Sequence, residues 1–393
     1  MIALASIIER FEGSYLAQYQ NAILPSQRHA LASMKRCRTS LSPHMVAQCG
    51  GCDEQRVLPH SCGHRSCPHC QHFESQQWIE RQTQRLVPSP YFLITFTVPA
   101  QLRALAWQHQ RLFYTLIMAC AWDTLRTFSE NHRQLQGTPG AVAVLHTHSR
   151  KLDFHPHVHV AMPAAALDTE QRLWRSLRSR ATPGASDQGK KAQGKKGQGT
   201  TNKGYLFNHK ALAKVFRGKL LAGLREAGLI APAALSEQWV VDCRGVGGGG
   251  PALVYLGRYL YRGVVQEKDI IKCDQHHVTF RYRDSATDKM SLRTVTGATF
   301  LWLLLQHVLP KGFRRARNYG FLHPNSKRMI ALLKLLVFKL AASVPTPPTT
   351  RAQLRCRCCG SPMAIIARRI QAARILPTGN APPQPIDTKA PSA

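Results

Sequence analysis

Alternation between apolar and polar positions marks several β-strands in this sequence. In "FHPHVHVAM" (154–162), Val158 and Val160 fall on one side of a strand and His157 and His159 on the other, because successive strand residues point to opposite faces. The strands predicted in this way are "YFLITFTV" (91–98), "AVAVLHTH" (141–148), "FHPHVHVAM" (154–162) and "QWVVDC" (238–243). A short polar stretch joins the second of these to the third, which predicts a β-hairpin.

Apolar residues at helical spacing predict helices elsewhere in the chain. Ile7, Ile8, Phe11 and Tyr15 share one helical face within residues 1–45. Further helices are predicted at 102–128, 204–228 and 252–262, the last after a glycine-rich stretch (244–251) that predicts a flexible hinge. Because strands and helices follow one another without regular βαβ alternation, we expect an α+β fold built on an antiparallel sheet.

The charge of the chain indicates a polyanionic partner. Its 393 residues include 53 Lys and Arg against 21 Asp and Glu, a formal net charge of +32, and no acidic residue falls between Lys289 and Ile386. Many basic residues favour nucleic acid, because neutralising phosphates releases bound counterions. A basic surface that only aids solubility is the alternative.

Membrane and secretion signals are not evident. The first residues lack a cleavage pattern, and the longest apolar runs, at 299–309 and 329–342, are too short to span a bilayer. We therefore expect a soluble, cytoplasmic protein with no membrane partner. In such a reducing compartment, the 12 cysteines predict metal binding rather than disulfides.

Four cysteines have the spacing of a structural zinc site. Cys49 and Cys52 form one CxxC pair, and Cys67 and Cys70 form a second. Four thiolates can close tetrahedrally on Zn²⁺, so one structural zinc ion is predicted here. Cys62 is an alternative ligand, with His60, His64 and His69 nearby. Cys356, Cys358 and Cys359 form only half a site, and a flexible thiol-bearing tail is expected around them. A second metal site at these cysteines is the alternative.

The alternation in "HPHVHV" places His157 and His159 where they can share one metal ion. A third ligand must come from elsewhere, and His146 on the neighbouring predicted strand is the first choice. His148, Asp153 and His155 are alternatives for that position. Polar histidines on a solvated strand are the competing interpretation.

Two tyrosines in "VYLGRYLYR" form a second candidate group. Tyr255 and Tyr259 are four residues apart, so both hydroxyls lie on one helical face. Arg258 and Arg262 stand beside them and can bind a phosphate. Gly257 within the helix indicates close approach of another element. Aromatic core packing is the alternative role for the tyrosines.

These motifs, together and in order, resemble a known family. The cysteine-rich stretch, the His-hydrophobic-His motif, the tyrosines of "YLGRYLYR" and "HVLPKGFRRARNYGFL" (307–322) resemble the rolling-circle transposases of bacterial insertion sequences, the ninety-one family, which belongs to the HUH endonuclease superfamily. The resemblance runs from about residue 1 to 340 and touches "CRCCGSPM" near the end. Relatives often carry a glutamine where this chain has Arg150.

The resemblance implies a fold and a mechanism. The fold would be an HUH-like antiparallel sheet with flanking helices, preceded by a small zinc-binding module. His157 and His159 would bind a catalytic divalent ion, Mg²⁺ or Mn²⁺, and Tyr255 and Tyr259 would be the nucleophiles. The enzyme would nick and rejoin single-stranded DNA at element ends through a 5′-phosphotyrosine, in the bacterial cytoplasm at the nucleoid. Its partners would be element ends and target DNA.

The same features suggest an organisation of the chain. We predict a helical, Cys-rich zinc module at 1–85 and a catalytic domain at 86–265 with a mobile basic insert at 181–204. A basic C-terminal region (266–340) and a Pro/Ala-rich tail with one CxxC (341–393) follow.

Three other functions remain open at this point. A plasmid replication initiator or relaxase would share the chemistry. A non-catalytic, zinc-bearing DNA-binding protein, such as a decayed transposase, would bind DNA without a covalent adduct. A zinc hydrolase is the third, and the lack of a nearby carboxylate base disfavours it.

Overall fold

The computed structural model describes five stretches of the chain, residues 2–177, 206–261, 263–284, 287–337 and 353–371. The basic insert predicted at 181–204 lies outside the described residues, as does Arg262. Of the tail predicted at 341–393, only residues 353–371 are described.

Helices and antiparallel strands alternate irregularly along the described chain. The helices are α1 (Leu4–Tyr19), α2 (Pro25–Arg36), α3 (His72–Thr83), α4 (Arg103–Gln108), α5 (Gln110–Glu130), α6 (His209–Glu226), α7 (Gly250–Tyr261), α8 (Gly297–Leu305) and α9 (Lys327–Val337). The strands are β1 (His44–Cys49), β2 (Gln55–Pro59), β3 (Tyr91–Thr97), β4 (Thr138–His148), β5 (Phe154–Pro163), β6 (Ala165–Asp168), β7 (Leu173–Ser176), β8 (Val240–Gly245), β9 (Ile270–Cys273), β10 (His277–Arg283), β11 (Met290–Thr296), β12 (Ala316–Gly320) and β13 (Met363–Ile370). The four strands predicted from alternation are confirmed as β3, β4, β5 and β8. The helix predicted at 102–128 is instead divided between α4 and α5.

A central antiparallel sheet carries the candidate site. Its strands lie in the order β7–β6–β4–β5–β3–β8, and β12 also pairs with β4. The pairings among these strands are antiparallel, which confirms the predicted α+β class. β12 comes from the region predicted to be separate (266–340), so the sheet extends beyond the predicted boundary at residue 265.

The two faces of this sheet have different coverings. Leu145, Val158 and Val160 belong to a core that includes Phe113 of α5 and Phe216 of α6. On the opposite face, alternate residues of β4 and β5 pack against α7. This second core includes Val142, Val144, Ala161, Leu253 and Leu256. The period-2 pattern therefore decides which side chains face α7.

Helix α7 is packed closely at two glycines, one just before its first residue and one near its middle. At Gly249 the backbone φ is +87°, and a Cβ atom there would lie 2.6 Å from the Tyr91 ring. Tyr91 also exchanges backbone hydrogen bonds with Val246 and Gly247, so the predicted flexible hinge is a packed turn. A Cβ at Gly257 would lie 2.3 Å from Ile79 of α3. The sheet lies on one side of α7 and α3 on the other.

A third core joins the N-terminal helices to residues 265–308. It combines apolar residues of α1, α2 and α8 with the antiparallel sheet β11–β10–β9. Ile7, Ile8 and Phe11 of α1 share it with Phe280 of β10 and Phe300 of α8. The strands β9 to β11 were not predicted, although "HVTFRYR" alternates.

A third, smaller sheet links the N-terminal and C-terminal parts of the chain. Its order is β13–β1–β2, with Cys49 of β1 opposite Met363 of β13. The expectation of a flexible tail is therefore wrong for residues 353–371, because backbone pairing with β1 fixes β13. Within the described residues, no helix combines the length and the apolar character that crossing a membrane requires.

Candidate active site and metal centres

Three histidines meet on the sheet face that α7 covers. His146 of β4 lies directly opposite His157 of β5, and His159 follows two residues later on the same face. One ligand nitrogen from each ring lies within 4.8 Å of the other two. The structure therefore brings the first-choice third ligand, His146, to the predicted pair.

Hydrogen bonds orient two of these rings. The Nδ1 atom of His157 lies 2.7 Å from the carbonyl oxygen of His155, and Nδ1 of His159 lies 2.9 Å from the hydroxyl of Thr95. When Nδ1–H donates to these oxygens, the Nε2 lone pair of each ring remains for an ion. Both ring nitrogens of His146 are buried without a hydrogen-bond partner. Since a buried polar group normally has a partner, this donor set fits a metal ion.

Burial keeps these imidazoles neutral. It lowers the pKa of His159 to about 3 and holds the pKa of His146 well below its usual value. The pKa of His157 is also lowered, again because of burial. Only a neutral imidazole can bind a metal ion, so the three rings have the right protonation state at neutral pH.

Tyr255 and Tyr259 of α7 lie over the same histidines. The ring of Tyr259 stacks on His146 with centroids 4.1 Å apart, and Tyr255 lies 5.7 Å from His159. The two phenol rings are 5.1 Å apart and share one helical face. Tyr255 is 38% exposed, and burial of the remainder raises its pKa above the usual value. Both candidate nucleophiles therefore stand at the histidine cluster, and Tyr255 carries its proton at neutral pH.

The other residues considered for the third metal position have different partners. His148 stacks on Tyr259, with centroids 5.3 Å apart. His155 is bonded through Nδ1 to Arg103 at 2.9 Å, and Asp153 pairs with Arg293 at 2.8 Å. None of these three belongs to the group of ligand atoms that His146 forms with His157 and His159 among the described residues.

The arginines beside the tyrosines lie at the mouth of the site. Arg258 is exposed and lines a cavity of about 270 Å³ together with Tyr255, Tyr259 and His148. Arg150 is exposed too, and its guanidinium lies 3.6 Å from Asp288. Arg262, the second predicted phosphate ligand, lies outside the described residues.

Two further residues support the site without having been predicted. Thr95 is one of two threonines in the mostly apolar β3, and nothing in the sequence distinguishes its role from that of Thr97. Arg315 is half-buried, and its Nη1 donates to the carbonyl oxygens of Tyr259 at 3.3 Å and Leu260 at 3.5 Å. A cation at the C-terminal end of a helix stabilises its free carbonyls, so Arg315 fixes the end of α7 that carries Tyr259.

The predicted single zinc site is replaced by two separate thiol clusters. Cys67 and Cys70 lie with Cys37 and Cys62, not with Cys49 and Cys52. In this first cluster, the sulfur of Cys37 lies 3.7 Å from that of Cys70 and 3.6 Å from that of Cys67. The sulfur of Cys62 also lies 3.7 Å from that of Cys70. Cys62, predicted only as a substitute, is thus a full member.

Cys49 and Cys52 belong to the second cluster, with Cys356 and Cys359. Cys49 ends β1 and Cys52 lies in the turn that follows, whereas Cys356 and Cys359 lie in the segment before β13. Local spacing suggested that Cys49 and Cys52 would join the next CxxC in the chain. The pairing of β1 with β13 instead brings them to a CxxC more than 300 residues away.

The histidines near the first cluster have other partners. His69 pairs through Nε2 with Glu267 at 2.8 Å, and Nδ1 of His60 lies 2.7 Å from the carbonyl oxygen of Ser61. Nδ1 of His64 accepts a hydrogen bond from the backbone nitrogen of Ser66 at 3.2 Å. The first cluster is therefore a site of four thiols.

Comparison with known families agrees with this division of the chain. Residues 140–329, which contain the histidines and tyrosines, match a family described as putative transposase. Residues 7–98 match a transposase zinc-binding domain, and they include all four cysteines of the first cluster. That match and the thiol clusters support Zn²⁺ as a bound metal. No solved structure gives a match.

Two curated proteins are similar over most of the chain. A putative transposase of Sinorhizobium fredii, y4qJ, is 29% identical over 374 residues, which cover 89% of this chain and 87% of the relative. The transposase of the insertion sequence element IS801 from Pseudomonas savastanoi pv. phaseolicola is 27% identical over 353 residues, covering 86% and 82%. Both family matches lie in the predicted order, and together with these two relatives they support an IS91-family transposase.

Proposed function

We propose that this transposase nicks and rejoins single-stranded DNA at insertion-sequence ends through a 5′-phosphotyrosine, and so drives rolling-circle transposition. The observation that carries the proposal is one cluster of three imidazoles and two phenols. His146, His157 and His159 have ligand atoms within 4.8 Å of one another, and the ring of Tyr259 stacks directly on His146.

The three histidines would hold a divalent ion, Mg²⁺ or Mn²⁺. A bound divalent ion would polarise the scissile phosphate and stabilise the negative charge of the transition state. The chain's own contribution is to keep the imidazoles neutral by burial and to fix two of them through the carbonyl of His155 and the hydroxyl of Thr95. The ligand set is therefore ordered before DNA binds.

The covalent step is a transesterification. The hydroxyl oxygen of one tyrosine forms a bond to phosphorus while the bond from phosphorus to the 3′ oxygen of the preceding nucleotide breaks. Overall, the phenolic proton passes to the released 3′ oxygen, which becomes a free hydroxyl. The phosphotyrosine keeps the energy of the broken bond, so rejoining requires no nucleotide cofactor.

The pair of tyrosines suits two successive exchanges at one metal site. Their rings are 5.1 Å apart, and each lies within about 6 Å of at least one histidine of the cluster. While one tyrosine holds the first DNA end, the other remains to attack the second. Arg258, exposed beside both, can hold the phosphate of the strand that waits.

A basic groove formed by α3, α5, β12 and the segment before β12 would guide the strand. It encloses about 760 Å³ and is lined by arginine and aromatic side chains, without an acidic residue in its described lining: Trp78, Arg85, Arg111, Phe313, Arg314, Arg317 and Tyr319. Basic side chains track the phosphates of a single strand. Trp78 and Phe313 are buried, so the arginines supply the contacts to DNA.

The double variant Tyr255→Phe/Tyr259→Phe tests the mechanism. Phenylalanine keeps each ring and its packing but removes the nucleophilic oxygen. We expect the variant to bind single-stranded element-end DNA like the parent and to form no covalent adduct with Mn²⁺ or Mg²⁺ present. A denaturing gel of the reaction with labelled DNA gives the readout.

Tyr282→Phe is the matched control, because Tyr282 lies on β10 and should not affect the adduct. Tyr255→Phe alone and Tyr259→Phe alone should each retain some cleavage of an oligonucleotide but lose transposition, since the second exchange lacks its nucleophile. An adduct that persists in the double variant, or peptide mapping that finds the DNA on another residue, would contradict the assignment.

A further inference from the structure

We infer that Cys49, Cys52, Cys356 and Cys359 form a second structural zinc site, which fastens the C-terminal strand β13 to the N-terminal module. The match to the zinc-binding domain ends at residue 98, so it does not include Cys356 or Cys359. The proposed site is independent of the cleavage chemistry, and it differs from the Cys37, Cys62, Cys67 and Cys70 cluster in every ligand.

The sulfur positions fit a tetrahedral ion. Zinc–sulfur bonds of about 2.3 Å place the four sulfurs of a tetrahedron about 3.8 Å apart. Here the sulfur of Cys49 lies 3.4 Å from that of Cys359, and the sulfur of Cys52 lies 3.6 Å from that of Cys356. The four atoms are all within 4.8 Å of one another. These spacings are too long for disulfide bonds, which require about 2.05 Å.

The two CxxC segments share one backbone geometry. The nitrogen of Gly51 donates to the sulfur of Cys49 at 3.3 Å, and the nitrogen of Cys358 donates to the sulfur of Cys356 at 3.4 Å. Each donor is two residues after the acceptor. Such N–H donation stabilises a thiolate, which is the form that binds metal.

The two CxxC segments also agree in the backbone on either side of these donors. The backbone nitrogen of Cys49 donates to the carbonyl of Glu54, and that of Cys356 donates to the carbonyl of Ser361, five residues later in both cases and both at 2.9 Å. Asp53 and Gly360, which directly follow the second cysteine of each pair, have φ values of +56° and +73°. The two segments are distant in the sequence but have the same backbone geometry, and their cysteine sulfurs lie close to one another. They therefore form the two halves of one site.

This geometry also decides between Cys359 and its neighbour Cys358. Cys52, Glu54 and Cys358 form a competing group of three possible ligands. Cys358, however, holds the position that Gly51 holds in the other segment, and its role there is to donate its backbone nitrogen. Cys359 corresponds to Cys52, so it is the ligand.

The apolar contacts around β13 are too few to hold this segment alone. The buried core here consists of Ala47, Cys49, Cys356 and Met363, two of which are proposed ligands. Ile365 and Ile366 on β13 are 41% and 53% exposed. Small units that bury little apolar surface usually depend on a metal or a disulfide, so a bound ion accounts for the ordered sheet.

Zinc content of the purified full-length chain tests the inference. We expect about two zinc ions per chain, and about one in Cys356→Ser/Cys359→Ser, because each four-thiolate site binds one ion. Cys358→Ser is the matched control and should keep about two. A parent content of about one zinc, or an unchanged content in Cys356→Ser/Cys359→Ser, would overturn the second site.

Hydrogen exchange separates loss of this ion from general misfolding. In Cys356→Ser/Cys359→Ser, the amides of β13 should exchange at least about 10-fold faster, while those of α2 and β4 keep their parent rates. Gly51→Ala provides a variant with every thiol intact. The added Cβ would lie 2.7 Å from the hydroxyl of Ser361 and 3.4 Å from the sulfur of Cys359, so zinc should leave this variant faster in a chelator. Zinc release from Gly51→Ala at the parent rate would contradict the close approach of Gly51 to Ser361 and Cys359.

Discussion

The imidazole cluster and the thiol clusters are both suited to metal ions, yet they are built in opposite ways. His146, His157 and His159 lie on two neighbouring strands of a sheet that is packed on both faces. The paired sulfurs of the second thiol cluster come from residues 310 and 304 positions apart, around a core of four buried residues.

The two kinds of site differ in whether a bound ion would contribute to chemistry or to the stability of the fold. The sheet positions the imidazoles through its register, its core and the hydrogen bonds of two rings, so the site exists before an ion binds. Around the thiols, a bound ion would supply much of the cohesion. Loss of metal should therefore abolish chemistry at the first site and structure at the others.

The largest effect is expected from His157→Ala/His159→Ala. Loss of two ligands should lower the rate of DNA cleavage by about 10³-fold or more, since charge stabilisation at the phosphate is lost. The melting temperature should change by no more than about 5 °C, because the sheet does not depend on the ion. Cleavage assays with Mn²⁺ and thermal unfolding of the same preparations measure both.

His276→Ala/His277→Ala is a suitable control for that pair. These two histidines are also close together in the sequence, but they are exposed at the start of β10. The control should cleave DNA at the parent rate. If the His157→Ala/His159→Ala protein cleaves DNA normally, or if it unfolds, the imidazoles do not form a site whose metal serves chemistry alone.

A smaller effect, on stability rather than rate, is expected from Cys67→Ser/Cys70→Ser. Loss of the ion in the first thiol cluster should destabilise the region around α1 and α2 by about 3 kcal/mol or more, because structural zinc contributes directly to folding. Hydrogen exchange should show faster exchange in α1 and α2 and parent rates in β4 and β5. Cys273→Ser, at a cysteine outside both clusters, should leave both patterns unchanged.

Thr95→Val should give the smallest of these effects. It removes the hydroxyl bonded to Nδ1 of His159 while keeping the shape of the side chain. Loss of such a partner typically weakens metal binding about 10- to 100-fold. The Mn²⁺ concentration for half-maximal cleavage should rise accordingly, with a near-parent rate at saturation. Thr97→Val changes the same face of the same strand and should not shift that concentration. Equal shifts in both variants would argue against a positioning role for Thr95.

The sequence predicted the grouping of the three imidazoles because the information for it is local. Alternation in "HPHVHV" fixes which side chains share a face, and a short hairpin brings β4 beside β5. Helical spacing placed Tyr255 and Tyr259 on one face. Packing of α7 on the sheet could not be deduced from its pattern alone. Arg315, which fixes the end of that helix, comes from a run of basic residues with no visible periodicity.

Thiol pairing was mispredicted for the opposite reason. Nothing near Cys49 indicates a partner at Cys359, and the nearest CxxC offered a plausible but wrong one. β12 was missed on similar grounds, since "ARNYG" lacks an apolar alternation and joins the sheet through pairing with β4. Contacts between distant segments depend on tertiary packing, which a single sequence does not encode in any local pattern.

The position of β13 beside β1 has a consequence during synthesis of the chain on the ribosome. Cys49 and Cys359 are 310 residues apart, so at about 5–20 residues per second the second strand follows the first by about 15–60 s. Throughout that interval, β1 has β2 on one side and an unpaired edge on the other. Open strand edges promote association between chains. A translation product that stops before Cys356 can contain every strand of the central sheet and still expose that edge.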